Sequence, residues 1–101
     1  MQLKEGLTYN DVLLVPQHSD IRSRADIKIG SALDGPYAYV PLRLPIMASP
    51  MDTISEEEMG VAMWQEGGLA VVHRYNTIAE QTSILDGIIV NAGCNAAAAI
   101  G

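Results

Sequence analysis

Pro45-Ile46-Met47-Ala48-Ser49-Pro50, then Ser55-Glu56-Glu57-Glu58, then Gly67-Gly68-Leu69-Ala70-Val71-Val72-His73-Arg74 form the stretch that decides the fold. Residues 45–49 are a short apolar run held between prolines, the pattern of a strand buried on both faces. Ser55 and Glu58 stand at capping-box spacing. The serine hydroxyl can accept from the Glu58 backbone N–H while the Glu58 side chain reaches back to the Ser55 amide. Acidic residues in that turn also suit the positive end of a helix dipole. Met59, Ala62, Met63 and Glu66 follow at helical spacing, and Gly67-Gly68 stops the helix. Leu69–Val72 is a second strand of the buried type, closing at His73-Arg74. The stretch therefore predicts strand 45–49, helix 55–67 and strand 69–73.

Towards the C-terminus, Thr77-Ile78-Ala79-Glu80 is another capping box, opening a helix expected to end near Gly87. Residues 88–93 read equally as a strand piece or a loop. Ala96 to Ala99 favour helix by propensity; the alternation before them favours a strand over 96–100. A β-α-β-α-β order implies parallel pairing with right-handed crossovers. Three such strands leave an open sheet whose apolar edge is an aggregation hazard. The physical reading is an α/β unit that stops early, with no further internal repeat and no low-complexity linker.

Towards the N-terminus, Leu7-Thr8-Tyr9-Asn10-Asp11-Val12-Leu13-Leu14-Val15-Pro16 contains an apolar run halted by proline. It fits an extended segment that packs onto something larger. Residues 17–26, with Ser19, Asp20, Arg22, Ser23, Arg24 and Asp26, read as an exposed loop. Ile27, Ile29 and Leu33 indicate a second short strand, and Asp34-Gly35-Pro36-Tyr37 carries turn chemistry. We divide the single partial domain into an extension with opening strands, 1–43, and βα units, 44–101.

The bulk numbers bound the function. Of 101 residues, 49% are hydrophobic, enough for a small globular domain. With no Phe, and only Trp64 and four Tyr, the core must be built from Ile, Val, Leu, Met and Ala. Twelve acidic residues against six basic ones give a net charge of −6. That balance, without a Lys/Arg run, argues against nucleic acid and anionic membranes as partners. The lone Cys94 cannot form an internal disulfide, and the first residues lack a signal-peptide pattern, so a cytoplasmic location is expected.

Two segments carry a resemblance to a known family. One is Gly6-Leu-Thr-Tyr-Asn-Asp-Val-Leu-Leu-Val-Pro-Gln-His-Ser19. The other is Pro45-Ile-Met-Ala-Ser-Pro-Met-Asp-Thr-Ile-Ser-Glu56, continuing through Gln65-Glu-Gly-Gly-Leu-Ala-Val-Val-His-Arg-Tyr-Asn76. They resemble the opening segment, first barrel strand, first helix and second strand of the IMP dehydrogenase/GMP reductase family. The resemblance runs over about residues 6–81 and is poor over 82–101. It implies the N-terminal part of a (β/α)₈ barrel, a fold of about 250 residues with its site at the C-terminal ends of the strands. It also implies a nicotinamide cofactor, NAD or NADP, a purine nucleotide monophosphate substrate, IMP or GMP, and a homotetramer.

The family's reaction passes through a covalent adduct on a cysteine in a Gly-Ser-x-Cys-type loop beyond the third strand, and no such loop occurs in these 101 residues. Cys94 is no substitute. No His, Lys or Arg lies within ten residues of it to lower its pKa, so it reads as structural and partly buried. No catalytic residue and no metal set is assigned. Many IMP dehydrogenases carry CBS modules after the second barrel helix; only residues 82–95 separate Gln81 from the alanine strand here, which is similar to GMP reductase or to a dehydrogenase lacking the insertion. Gly67-Gly-Leu-Ala-Val-Val-His-Arg74 looks more like the dehydrogenase, and the two activities stay level.

By resemblance, Ser49 and Met51 contact the bound nucleotide, Ser49 by hydrogen bond and Met51 by packing; the plain alternative is a strand-end cap and an ordinary core residue. Ser23 and Arg24 match a pair that, in the GMP reductase branch, touches the cofactor of a neighbouring subunit, and an arginine fork suits a phosphate. Arg74 matches a basic residue with the same role. Asp52 and Thr53 are read as shaping the turn, Trp64 as packing, and His73 as a structural residue hydrogen-bonded at the strand end. The expected function is thus part of a purine-nucleotide oxidoreductase, inert alone. The rival is a non-catalytic module assembling with another chain that supplies the rest of the barrel.

Overall fold

The computed structural model describes residues 3–35, 39–93 and 95–101. Its organising element is β4 (Leu69–Val72), which is hydrogen-bonded in parallel on both edges. On one side lies β3 (Met47–Ala48), pairing Met47 with Leu69 and Ala48 with Ala70. On the other lies β5 (Ala97–Ala98), pairing Val71 with Ala97 and Val72 with Ala98. The strands thus run in sequence order, with helix α1 (Glu57–Glu66) and helix α2 (Ile78–Ala92) as the two connections. Upstream, β1 (Ser31–Asp34) and β2 (Tyr39–Leu42) form a separate antiparallel ribbon.

The α/β unit with three parallel strands and two helices matches the expectation, but several boundaries move. The first strand is only Met47–Ala48, and Met47 remains half exposed, so its environment is not the two-sided burial that the apolar run predicts. The last strand shortens from 96–100 to Ala97–Ala98. Helix α1 begins at Glu57, with Glu56 as an N-cap that makes no side-chain cap bond. The capping box predicted at Ser55 does not form, because that hydroxyl faces inward. The Thr77–Glu80 box does form, each side chain bonding the other's backbone N–H.

The face that α1 buries also differs from the predicted Met59/Ala62/Met63/Glu66 stripe. Met59 and Met63 of that stripe are half-buried, but Ala62 and Glu66 are exposed, and Gly60 is the buried position, with Glu57, Val61 and Trp64 half-buried beside it. The reason is close approach to α2. A Cβ on Gly60 would lie 2.3 Å from Ile88 Cδ1, and one on Gly87 would lie 2.4 Å from the Glu57 carboxyl carbon. Gly87 therefore serves as a contact point inside α2 and not as its end. The helix runs on to Ala92, where Gly93 turns left-handed at φ 63°. Asn91 Nδ2 donates to Glu57 Oε1 at 2.8 Å, fixing the register of the two helices.

At the other end of α1, Gly67 at φ 95° and Gly68 close the helix with N–H bonds to Trp64 and Met63, a Schellman geometry that favours glycine at the left-handed position. The Arg43 Nη2 donates to the Gln65 carbonyl at 2.6 Å, placing a cation at the negative end of the dipole. The core is small: Leu42, Leu69, Ala70, Val72 and Ile88, with Val72 wholly enclosed.

Residues 3–30 are exposed throughout. Within them Thr8 donates through N–H and Oγ to the Asp11 carboxylate, which holds that carboxyl below its ordinary 3.8. Leu7, Tyr9, Leu13, Leu14 and Val15 meet solvent, so the apolar arm finds no surface to pack on among the described residues. The radius of gyration, 17.7 Å, exceeds the ~13 Å of a compact chain of this length. Part of the predicted Asp34–Tyr37 turn, and Cys94 with its structural reading, lie outside the described residues.

Two outcomes are expected. Gly60→Ala lowers stability by about 1–2 kcal/mol in a thermal melt, because crowding on Ile88 outweighs the helix-propensity gain. For Glu80, bonds from the Thr77 N–H and hydroxyl depress the carboxyl below its ordinary 4.5. Its contribution is therefore complete above that value and is lost as pH falls through the depressed one. Protection of the amides in the first turn of α2, measured against their intrinsic exchange rates, falls on acidification, and Glu80→Gln, which keeps the cap, removes that pH dependence.

Candidate functional site

Two loops meet at the C-terminal ends of the parallel strands: residues 49–56, leading from β3 into α1, and residues 73–77, leading from β4 into α2. Ser49 and Met51, the predicted nucleotide contacts, both lie exposed on the first loop. The loop is shaped by Ser55, whose side chain is wholly buried. Its Oγ donates to the Ser49 carbonyl and accepts from the Met51 N–H at 3.2 Å. Its own N–H donates to the Met51 carbonyl at 2.9 Å. Between them, Thr53 sits at φ 60°. A β-branched residue in the left-handed region is strained, which the surrounding bonds must hold in place.

The second loop is anchored by His73, a buried polar residue at 2% exposure. Its Nδ1 accepts from the Tyr75 N–H at 3.1 Å, so the opposite nitrogen carries the proton, and Nε2 lies 3.0 Å from Glu56 Oε1 and 3.9 Å from Asp52 Oδ1. The His73 N–H donates to the Ser55 carbonyl at 3.4 Å, tying the two loops together. The expectation of a histidine bonded at its strand end holds; the partnership with Glu56 across to the first helix is additional. From α2, Gln81 Nε2 donates to the carbonyls of both His73 and Ala99 at 3.0 Å, joining the ends of β4 and β5.

Cavities open beside these loops, and two of them differ in charge. A cavity of about 430 Å³ is lined by Asp52, Glu56, His73 and Glu80 among others, three carboxylates with no lysine or arginine. Such a lining repels phosphate. The second, about 270 Å³, lies against Arg74, Gln81, Ala99 and Ile100, with Arg74 its one charged side chain. Asn76 lines both, and its side-chain amide atoms are buried without a partner among the described residues.

The structure therefore joins Ser49 to Met51 through Ser55 and sets Arg74 at the neighbouring strand end. It does not bring Ser23 or Arg24 to them. Those two residues open a 3-10 turn, Arg24–Asp26, in the exposed arm; Ser23 Oγ accepts from the Ala25 N–H at 3.2 Å, and the hydrogen bonds of both stay within that turn. Sequence reasoning missed Ser55 and Glu56. The three consecutive glutamates 56–58 offered a capping register that hid the inward serine.

Comparison with known proteins supplies the context. Residues 6–91 match the family described as IMP dehydrogenase / GMP reductase domain, ten residues beyond the 6–81 that sequence reading supports. The chain is 42% identical over 83 residues to inosine-5′-monophosphate dehydrogenase of Nitrosopumilus maritimus, covering 82% of this chain and 17% of that one. It is 43% identical over 83 residues to GMP reductase of Leishmania donovani, covering 82% and 16%. A crystal structure of GMP reductase from Trypanosoma brucei in complex with guanosine 5′-triphosphate superposes with a TM-score of 0.68 at 44% identity, over 82% of this chain and 19% of that one. The chain thus spans about one sixth of the length of the curated relatives it matches. No helix among the described residues is long and apolar enough to cross a membrane.

Thr53→Gly is expected to raise stability by roughly 0.5–1 kcal/mol in chemical denaturation. Release of about 1–2 kcal/mol of left-handed strain exceeds the roughly 0.4–1 kcal/mol of added chain entropy. An unchanged or lowered midpoint would mean that the threonine side chain contributes a compensating contact.

Proposed function

The chain belongs to the IMP dehydrogenase/GMP reductase family, and on that premise we propose that it forms the first βα units of a purine-nucleotide oxidoreductase barrel. Residues 44–101 supply strands one to three of that barrel, and residues 1–43 the arm and ribbon before it. The observation that carries this reading is the two-residue stagger about β4: β3 pairs with its first half and β5 with its second. A progressive offset between sequential parallel strands is what closure of a sheet into a barrel requires.

In this reading the loop after β3 presents Ser49 to a hydroxyl or phosphate oxygen of IMP or GMP, and Met51 packs on the base. Arg74 lines a cavity at the strand ends whose charge suits an anion, and it holds a phosphate of NAD or NADP. Ser23 and Arg24, carried on an exposed arm, reach the cofactor of a neighbouring subunit within a tetramer. Identities of 42% and 43% to a dehydrogenase and a reductase leave the direction of the reaction level. The cytoplasm is the proposed location.

Because these 101 residues contain no Gly-Ser-x-Cys loop, the chain by itself binds and does not turn over. The purified chain is expected to give no IMP- or GMP-dependent change in nicotinamide absorbance; any turnover would overturn this. Co-expression with a polypeptide supplying the remaining strands and cysteine loop of a family member should restore turnover. In that assembly Met51→Ala should raise the nucleotide KM about tenfold, the effect of losing ~1.4 kcal/mol of apolar packing.

A second reading, a non-catalytic module that assembles with another chain, is favoured by one observation: the apolar arm with Leu7, Tyr9, Leu13 and Leu14 open to solvent. Gel filtration separates the two, since a stable complex that forms without acquiring turnover supports the module.

A further inference from the structure

We propose that Ser55 is the positioning residue of the nucleotide-contacting loop, holding Ser49 and Met51 in the shape in which they meet the ligand. The inference rests on the reading of those two residues given above, and it deepens it.

All four polar functions of Ser55 are engaged inward. The hydroxyl proton goes to the Ser49 carbonyl, and the hydroxyl oxygen receives the Met51 N–H at 3.2 Å. The backbone N–H returns to the Met51 carbonyl at 2.9 Å, and the backbone carbonyl receives the His73 N–H at 3.4 Å. Ser55 therefore engages both polar groups of the Met51 backbone, and the Ile54 N–H adds a second bond to the Met51 carbonyl at 3.2 Å. Pro50, between the two contacts, has no N–H to offer, so it cannot help close the turn by donating a bond.

The hydroxyl is also shielded. Ser55 is 0% exposed, so water does not compete for its two bonds, and a methyl in its place would strand an acceptor and a donor in a part-buried site. Thr53, strained at φ 60° in the middle of the same loop, would otherwise relax the turn. The His73 N–H bond adds the connection to β4, so the loop is referenced to the strand that the sheet holds most firmly. Ser55 touches neither ligand nor reacting atoms in this scheme; it acts through Ser49 and Met51.

The test uses the whole chain, with IMP and GMP as probes. In the wild type the Met51 amide should exchange at least about tenfold more slowly than those of Asp52 and Thr53, which have no acceptor among the described residues. Ser55→Ala should abolish that difference, leave the Ile88 core amide unchanged, and weaken the nucleotide-dependent shift of the Met51 methyl resonance about tenfold. Ser55→Thr should restore both within about twofold. Equal exchange at Met51 and Thr53 in the wild type would overturn the proposal without any variant, and so would an alanine variant that keeps protection and affinity. Loss of protection at Ile88 together with Met51 would reduce Ser55 to a general stability residue, and that too overturns it. If Met51 is protected but no nucleotide moves its methyl resonance, the reading of Ser49 and Met51 as ligand contacts fails, and the clamp is left as a loop anchor alone.

Discussion

The α/β unit of this molecule is referenced to one short strand. Leu69–Val72 is the only element whose two edges are both used for parallel pairing among the described residues, and three of its four side chains are buried. Each neighbour holds only two residues of it, so neither pairing would persist alone. They persist because α1 and α2 lie against each other through Gly60 and Ile88, close enough to leave no room for a β-carbon, and roof the strand between them. Backbone pairing in the sheet and glycine-mediated approach of the helices are thus one arrangement seen from two sides.

The two hydrogen-bonded loops sit where that strand ends. Beyond Val72 the chain gives His73, which uses one ring nitrogen to order its own loop and the other to reach the first helix. The first loop answers with Ser55, so both loops are fastened to β4 by groups that solvent cannot reach. The division of charge follows: carboxylates from the helix starts gather in one cavity, and the single guanidinium of Arg74 lines the other.

Much of this was readable in the residues, and the failures share a cause. The β-α-β-α-β order, the Gly67-Gly68 stop and the Thr77 capping box depend on local chemistry, which a sequence carries openly. Ser55, the end of α2 and the buried face of α1 depend on distant partners. A serine three residues before a glutamate looks the same whether its hydroxyl caps a helix or turns toward Ser49. Gly87 looks like a helix stop until Glu57 is found lying over it. The site followed the same division. Motif position places Ser49, Met51 and Arg74 at strand ends, where the structure also has them, whereas Glu56 entered only through its contact with His73. The Ser23-Arg24 pair remains apart from them, within its own turn of the arm.

The solvent-facing arm has a thermodynamic consequence. Folded monomers of this mass expose roughly 5,500 Å² by the usual scaling, whereas this chain exposes 8576 Å². The surplus, roughly 3,000 Å² on this chain alone, is more than one partner contributes to a standard interface, about 800 Å². A chain that has hidden so little has little left to reveal on melting. Its heat-capacity increment should fall below the usual ~12–15 cal/mol/K per residue, and its stability curve should be correspondingly shallow until some other surface covers the arm.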